Sequence, residues 1–283
     1  MNIGLVLSGG MAKGAYQIGA LKAIAEYIDY REVKYISCAS IGVLNGYAFA
    51  TGKLNKAERI WKNICCHDNK LLINKILRSN ALQQNIHEIY SERDRLFGEF
   101  YISLLELYSK SIIYQNLSAV DSPLIPLYLK ASIAMPIYND SVAVSGYQYF
   151  DGAMVDNIPV YPLLQHQLDY IICIYFDDSS YTFENTSFDG KVIKITFPSK
   201  SIVQQSVVFQ RDSINQMIQD GYEITRNLLQ VIFINGAGDL ASIYDRISFI
   251  NKQYSERHLR ITGDMMVSNL NRVLQKLTKK QIV

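Results

Sequence analysis

The chain has 283 residues, of which 49% are hydrophobic and 19% charged, so it is predicted to bury a large core as one elaborated domain rather than to remain disordered. Its formal net charge of +2 is too small to attract nucleic acid by bulk electrostatics, and no dense run of Lys and Arg interrupts the main body of the chain. Nucleic acid is therefore not an expected partner.

The N-terminal part repeats one pattern, in which a short apolar strand leads through small residues into a helix. A strand over Ile3–Leu7 is stopped by a serine and two glycines, and residues 13–28 follow with helical apolar spacing. Residues 34–39 form the next predicted strand, Ser40 stands at its end, and residues 41–51 are typical of a helix rich in small residues. Two such units in succession predict an α/β sheet.

The remaining elements are predicted from the same spacings. Residues 54–130 are interpreted as a helical insert over the sheet, because apolar and charged residues recur there at helical spacing. Strand character returns in residues 143–150, Tyr170–Phe176 and residues 191–197. Residues 202–230 and beyond are helical, with a break at 235–238. We therefore expect an α/β core over residues 1–200 and a helical region over 201–283 packed on it.

Ser40 is the first candidate for chemistry. It lies in the segment Cys38-Ala39-Ser40-Ile41-Gly42, between a strand and a helix, which is the context of a nucleophile elbow. The helix that follows would aim backbone N–H groups and its positive dipole end at the place where an oxyanion forms. The alternative is that Ser40 only caps the N-terminus of that helix, a common role for serine.

The glycine-rich segment GGMAKG, residues 9–14, lies at the first strand-to-helix turn. Its backbone N–H groups could bind a phosphate or an oxyanion. The segment lacks the spacing of a P-loop and of a dinucleotide-binding turn. The alternative is a turn that serves only to reverse the chain.

Asp151 is the candidate base. It follows a predicted strand and precedes Gly152, so its carboxylate would stand at a strand end, where it can meet a serine on a neighbouring strand; the alternative is a plain Asp-Gly turn. Histidine is the usual partner of a catalytic serine, but no motif surrounds any of the four histidines, which are His67, His87, His166 and His258. A triad that uses His166 stays open, and a Ser/Asp dyad is simpler.

These segments, in this order, resemble the patatin-like phospholipase family. LSGGMAKGAYQIGAL (7–21) is similar to its glycine-rich oxyanion loop, and CASIGVLNG (38–46) is similar to its nucleophile elbow. YFDGAMVDNIPV (149–160) is similar to its Asp-Gly-Gly/Ala motif with a trailing Asn-x-Pro, and ASIAMPIY (131–138) resembles the stretch before it. The resemblance implies a three-layer α/β/α fold with a mainly parallel central sheet.

The resemblance also implies a mechanism without histidine, metal or cofactor. Ser40 would attack an ester carbonyl of a phospholipid or another acyl ester, and Asp151 would accept the proton. The oxyanion would bind the backbone N–H groups of Gly9, Gly10 and Met11. Four further residues would support these motifs: Lys13, Gly14, Gly42 and Gly152.

Two positions depart from the family pattern, which has glycine where this chain has Met11 and Cys38. Met11 keeps its N–H, but a positive φ at this position would be costly for a residue with a Cβ. Cys38 is small and falls inside the strand, so it is expected to be buried and is a poor alternative nucleophile.

Several features bear on location. The four cysteines (Cys38, Cys65, Cys66, Cys173) show no metal spacing and are interpreted as reduced thiols. No leader peptide or membrane span is recognised, so a cytoplasmic or peripheral membrane location is expected. Residues 251–283 carry a net charge of +5, against −3 for the rest. The amphipathic pattern within this tail could contact anionic lipid, or it could pack on the core.

A group of aromatic residues in the predicted insert could line a lid or an acyl channel, or could belong to the core: Tyr90, Phe97, Phe100, Tyr101, Tyr108 and Tyr114. Three functions remain from the sequence. A lipid acyl hydrolase of phospholipase A or lysophospholipase type leads. A catalytically weak binding or regulatory protein and a soluble esterase or acyltransferase are the alternatives. Oligomeric state is not encoded in any of these patterns.

Overall fold

A computed structural model describes residues 1–63, 81–136, 138–176, 186–197 and 210–253. The strands are Ile3–Leu7 (β1), Val33–Cys38 (β2), Glu99–Glu106 (β3), Ser111–Asn116 (β4), Val142–Val144 (β5), Tyr147–Asp151 (β6), Tyr170–Phe176 (β7) and Val192–Phe197 (β8). The α-helices are Gly14–Ile24 (α1), Ile41–Ala50 (α2), Leu54–Asn63 (α3), Ala81–Ile89 (α4), Ile125–Ser132 (α5), Thr186–Asp189 (α6), Arg211–Ile232 (α7) and Leu240–Gln253 (α8).

All eight strands belong to one mixed sheet. Its parallel part has the order β3-β2-β1-β7-β8, and β4, β6 and β5 add antiparallel pairs around β3. The central strands β1 and β7 are buried along their whole length, as expected for parallel strands covered on both faces. This explains why both appear in the sequence as uninterrupted apolar runs.

Alternating side chains of the sheet enter two separate cores. Leu5, Leu7 and Ile36 point to the face covered by α1 and α2 and join the larger core. Val6 and Cys173 point to the opposite face, where the chain segment after β6 and its short 3₁₀ helix, Tyr161–Gln165, cover them. Helical segments thus lie on both faces, which confirms the predicted layered α/β fold.

β2 and β6 share one edge of β3. Tyr101 pairs with β2 on one side and with β4 on the other, whereas Leu104 pairs with Asp151 of β6 on one side and with β4 on the other. Since β4 occupies a single edge throughout, β2 and β6 must follow one another along the opposite edge. They run in opposite directions, so their C-terminal ends meet.

The predicted strands β1, β2, β7 and β8 and the helices α1, α2 and α7 are confirmed to within a few residues where the structure describes them. The interpretation of residues 54–130 as wholly helical is wrong. Helices α3, α4 and part of α5 lie there, but residues 99–116 form the hairpin β3–β4. Residues 143–150 are likewise two strands, because Ser145 (φ 50°) and Gly146 (φ 86°) turn the chain between β5 and β6.

Helix α7 packs along α1 at a close crossing. A Cβ placed on Gly19 would overlap the carbonyl oxygen of Ile218, and one placed on Gly221 would overlap that of Tyr16. Glycine at both positions therefore lets the two backbones touch. The break predicted at residues 235–238 falls between α7 and α8. The basic amphipathic tail after residue 253 lies outside the described residues, as do Cys65 and Cys66.

Candidate active site

Ser40 forms a strained elbow between β2 and α2. Its backbone has φ 53° and ψ −131°, a conformation that side-chain-bearing residues rarely adopt and that nucleophile elbows use to present the hydroxyl above a sheet. The Ser40 side chain makes no capping hydrogen bond to α2. The interpretation of Ser40 as a side-chain N-cap is therefore wrong, and the strain needs another explanation.

Close packing at the elbow depends on small residues. A Cβ on Gly42 would lie 2.7 Å from the carbonyl oxygen of Ser8, so α2 could not approach β1 with any larger residue there. A Cβ on Gly46 would lie 2.6 Å from Sγ of Cys38, so the glycine leaves room for that thiol. Cys38 is fully buried, and burial raises the pKa of its thiol well above the usual range. It is therefore unsuited to act as a nucleophile, as expected.

Asp151 lies opposite Ser40 because β2 and β6 end at the same point along β3. Its carboxyl group is buried, and burial raises its pKa to about 7, although hydrogen bonding by the Ser40 hydroxyl and by the Ala153 N–H favours the ionised form. The Ala153 N–H donates to Oδ1 at 2.9 Å. Asp151 is thus both the cap of a short turn and the partner of Ser40. A group with this pKa can accept and return a proton near neutral pH.

Gly152 explains how this turn fits against the sheet. A Cβ at this position would overlap the backbone of Ser103 in β3. The glycine therefore allows the turn that begins at Asp151 to pack directly against β3.

Gly9 is held by Asn157 rather than left open to a ligand. Its N–H donates to Oδ1 of Asn157 at 3.0 Å, and its carbonyl accepts from Nδ2 of the same side chain at 3.4 Å. A Cβ on Gly9 would lie 2.8 Å from Cβ of Ser40, so the loop touches the elbow. The Gly9 N–H is thus occupied in this structure, and its role as an oxyanion donor stays a prediction.

Asn157 is itself held in place by its neighbour. The Tyr114 hydroxyl of β4 donates to Oδ2 of Asp156 at 2.6 Å, and the Ile158 N–H donates to Oδ1 at 3.2 Å. Burial raises the pKa of Asp156. The segment that follows Asp151 is therefore attached to the edge strand on one side and to the glycine-rich loop on the other.

The next two residues of the loop present free donors. Among the residues that the structure describes, the N–H groups of Gly10 and Met11 have no hydrogen-bond partner, and the same holds for Ile41 at the start of α2. Gly10 lies against the ring of Phe176, where a Cβ would overlap the ring. Met11 has φ 52°, so the position does require the left-handed conformation that glycine adopts without strain.

Replacement of Met11 by glycine should therefore stabilise the fold. A non-glycine residue in the left-handed region costs about 1 kcal/mol, and Met11→Gly removes this cost while keeping the backbone N–H. Met11→Ala is the matched control, because it also removes the side chain but keeps the Cβ. In urea unfolding we expect Met11→Gly to exceed Met11→Ala by about 1 kcal/mol. Equal stabilities would show that the loop relaxes without strain.

A buried polar network supports the loop from below, and nothing in the sequence pattern singled it out. Gln17 donates from Nε2 to the carbonyl of Ser8 at 2.7 Å, and Asn45 donates from Nδ2 to Oε1 of Gln17 and to the carbonyl of Gly14, both at 2.9 Å. The indole N–H of Trp61 donates to Oδ1 of Asn45 at 2.9 Å. The sequence signal that could have predicted this network is the presence of polar residues at helix positions whose neighbours are apolar.

Lys13 and Gly14 both serve this packing. Nζ of Lys13 lies 5.0 Å from the centroid of the Phe176 ring, a cation–π contact on the ring that also supports Gly10. A Cβ on Gly14 would lie 2.8 Å from the ring of Trp61. Both motif residues thus position the loop from the side of the core.

No histidine reaches the site among the described residues. His166 stacks on Tyr35 with ring centroids 4.0 Å apart, and its Nε2 lies 3.2 Å from the Tyr101 hydroxyl. Tyr35 is five residues before Ser40, towards the opposite end of β2. A triad that uses His166 is incompatible with this placement. His87 is exposed on α4, and His67 and His258 lie outside the described residues.

The aromatic residues considered for a lid have mixed positions. Phe100 and Tyr101 are buried in β3 and belong to the two cores, and Tyr114 lies in β4. Tyr90 donates to the carbonyl of Ser122 at 2.8 Å and packs against the larger core. Phe97 and Tyr108 are exposed. These residues do not form one channel lining.

No group of His, Cys, Asp and Glu in the described part of the chain could hold a metal ion. None of the helices that the structure describes is long and apolar enough to span a bilayer.

The sequence model of the family described as patatin-like phospholipase matches residues 5–164, which include Ser40 and Asp151. No curated protein sequence matches the chain significantly.

Three solved structures resemble the chain at low identity. VipD from Legionella pneumophila has 11% identity and a TM-score of 0.43, with 95% of this chain and 90% of that chain covered. The type III effector protein ExoU has 12% identity and a TM-score of 0.44, with 90% and 62% covered. The ExoU–SpcU complex from Pseudomonas aeruginosa has 12% identity and a TM-score of 0.37, with 90% and 59% covered. The chain thus spans less than two thirds of the ExoU chains.

Proposed function

Because the chain belongs to the patatin-like phospholipase family, we propose that it is a lipid acyl hydrolase that cleaves carboxylic ester bonds with Ser40 as nucleophile and Asp151 as base. One observation carries the proposal: a serine held at φ 53° faces a buried carboxyl group whose pKa is raised to about 7. Strain at a serine and a carboxyl tuned to neutral pH are both costly to a fold, and together they suit acyl transfer.

The first half of the reaction forms an acyl-enzyme. Oγ of Ser40 bonds to the ester carbonyl carbon while its proton moves to Asp151. The tetrahedral intermediate then collapses: the bond to the alcohol oxygen breaks, and the leaving alcohol takes the proton from Asp151. The carboxylate is thereby restored to its ionised form.

The second half returns the enzyme to its starting state. A water molecule gives a proton to Asp151 and bonds to the acyl carbon, and the bond to Oγ of Ser40 breaks as Ser40 recovers the proton. The products are a fatty acid and an alcohol, which is a lysophospholipid when the substrate is a phospholipid. Neither half uses histidine.

The oxyanion of both intermediates would be stabilised by Gly10 and Met11. Their N–H groups lack hydrogen-bond partners among the described residues. In other enzymes, removal of one oxyanion donor raises the activation barrier by about 3 kcal/mol. Ile41 at the N-terminus of α2 adds a further donor in the geometry of an elbow. Gly9, with its N–H bonded to Asn157, acts instead as the fixed end of the loop.

A serine-reactive fluorophosphonate probe tests the proposal. Trypsin cleavage after Lys34 and Lys53 releases one peptide that contains both Ser37 and Ser40, and its fragment ions distinguish the two. We expect the phosphonyl group on Ser40, since Ser37 is fully buried in β2. Lipid products from phospholipid vesicles should contain free fatty acid. Absence of labelling at Ser40 would contradict the proposal, and labelling with hydrolysis of short-chain esters alone would indicate a soluble esterase.

A further inference from the structure

Two hairpin turns end side by side at the edge of the sheet where the candidate active site lies. We call residues 107–110 and 145–148 the hairpin tip. The first part connects β3 to β4, and the second part comprises the turn between β5 and β6 and the first two residues of β6. The Leu107 N–H donates to the carbonyl of Gln148 at 2.9 Å, so the two turns are joined at the same level.

The tip projects beyond the catalytic pair. Asp151 lies opposite Leu104 in the register of β3 with β6, β3 continues to Glu106, and Tyr108 lies in the turn two residues beyond that end. At a rise of about 3.3 Å per residue, the end of β3 stands roughly 7 Å past Asp151, and the turn that forms the tip projects beyond it. β2 ends just before Ser40, at the same edge. The tip therefore projects farther than the strands of these two hairpins, on the side of the sheet where a substrate would enter.

Two exposed aromatic rings lie at this tip. The Tyr108 side chain is 93% exposed and that of Tyr147 is 55% exposed. Tyrosine has an apolar ring and a polar hydroxyl, and such residues are enriched where one end meets hydrocarbon and the other meets water. The two tyrosine rings on adjacent turns expose apolar surface to water, and docking would bury that surface.

The charge of the tip also suits a lipid surface. It carries Lys110, which is exposed, and no acidic residue. The nearest carboxylate within β3, that of Glu106, points to the backbone: it accepts from the Tyr108 N–H at 2.6 Å and from the Ser109 N–H at 2.8 Å. Lipid phosphate groups at the tip would therefore be attracted by one cation, and no carboxylate of the tip would repel them.

The turns fix the backbone beside both tyrosines, and ring contacts hold one of the two side chains, that of Tyr147. Lys110 has φ 54°, and the turn before Tyr147 has two left-handed residues, Ser145 and Gly146. The Tyr147 ring contacts Tyr149, which in turn contacts Tyr128 of α5, with ring centroids 6.4 Å and 6.1 Å apart. The Tyr147 ring, held in this way, loses little rotamer freedom on docking.

We propose that the hairpin tip docks on the headgroup region of a phospholipid bilayer through Tyr108 and Tyr147, and so turns the Ser40 edge of the sheet towards the membrane. This inference rests on the proposed lipid acyl hydrolase function. The occupant is a lipid surface because the tip extends from the edge that would receive a lipid, carries amphipathic rings and has no acidic residue.

The binding test uses the whole chain with phosphatidylcholine vesicles. In sedimentation, the double variant Tyr108→Ser/Tyr147→Ser should partition onto vesicles about tenfold less than the wild type, given the apolar area of two tyrosines. Its hydrolysis of vesicle phospholipid should fall by the same factor, and its hydrolysis of a soluble short-chain ester should not change. Ile234→Ser is the matched control: Ile234 is 59% exposed and follows Phe233, whose ring contacts Tyr170 at the opposite end of β7.

Fluorescence gives a second, independent measurement. Trp61 is the chain's one tryptophan and is buried, so a Tyr108→Trp variant adds a single exposed reporter. Its emission should shift to shorter wavelength when vesicles are added, whereas that of Ile234→Trp should not.

Three results would overturn the docking proposal: equal partitioning of the double variant and the wild type, an equal loss in Ile234→Ser, or an equal loss of soluble ester hydrolysis in the double variant. Failure of the proposed function is a different outcome. In that case the wild type hydrolyses neither vesicles nor soluble esters, while sedimentation and fluorescence still decide whether the tip binds lipid.

Discussion

Replacement of Ser40 by alanine should lower ester turnover by on the order of 10⁴- to 10⁶-fold, because removal of a serine nucleophile eliminates the covalent pathway. The fold should survive, since the Ser40 side chain caps no helix and its partner Asp151 keeps the hydrogen bond from Ala153. Stability in urea should change by no more than about 1 kcal/mol, the usual contribution of one hydrogen bond.

Ser37→Ala is the matched control for this substitution. Ser37 is buried in β2, three residues before Ser40, and its hydroxyl has no hydrogen-bond partner among the described residues. Loss of that hydroxyl should leave turnover unchanged. If Ser40→Ala kept more than about one hundredth of wild-type turnover, another nucleophile would have to carry the reaction, and the dyad would be wrong.

The parts of the fold that the sequence predicts well are local. The apolar runs of β1 and β7 are bounded by glycine, aspartate or serine, and central parallel strands have few alternatives to such a pattern. The family resemblance, drawn from four short segments, is confirmed by the match over residues 5–164. Ser40 and Asp151 were recognisable because their motifs lie at strand ends, and their catalytic roles stay predictions until tested.

The strand β3 was missed for a physical reason. Its residues, EFYISLLE, are buried on both faces except at the first position, so the strand lacks the alternation that marks a half-exposed strand. An apolar run of this length is equally compatible with a buried helix. β3 is nonetheless the strand that positions the site, because β2 and β6 meet along its edge.

The use of the Gly9 N–H could not be predicted either. Its acceptor, Asn157, is 148 residues away in sequence, and only the completed sheet brings the two together. The motif predicted three equivalent donors in a row. The structure distinguishes them: one donor holds the loop, and the other two have no hydrogen-bond partner among the described residues.

Replacement of Asp151 by asparagine should remove activity and, above neutral pH, add stability. As general base, Asp151 must be ionised, so wild-type kcat/KM should rise with pH and reach half its maximum near pH 7, the value to which burial raises the pKa. Asparagine cannot accept the proton, and turnover should fall by about 10³- to 10⁴-fold at every pH. Asp156→Asn removes a buried carboxyl group bonded to Tyr114 instead, and should retain turnover.

The stability change follows from the same pKa. Unfolded aspartate titrates near pH 4, so folding favours the protonated form; that stability is fully present below pH 4 and is lost as pH rises towards about 7. At pH 8 the wild type therefore bears the cost of a buried charge, up to about 4 kcal/mol, which asparagine avoids while its Oδ1 still accepts from Ala153. Urea unfolding should show Asp151→Asn close to the wild type at pH 3.5 and more stable at pH 8. A constant difference between the two pH values would mean that Asp151 is not held with a raised pKa, and Ser40 would then lack a base tuned to neutral pH.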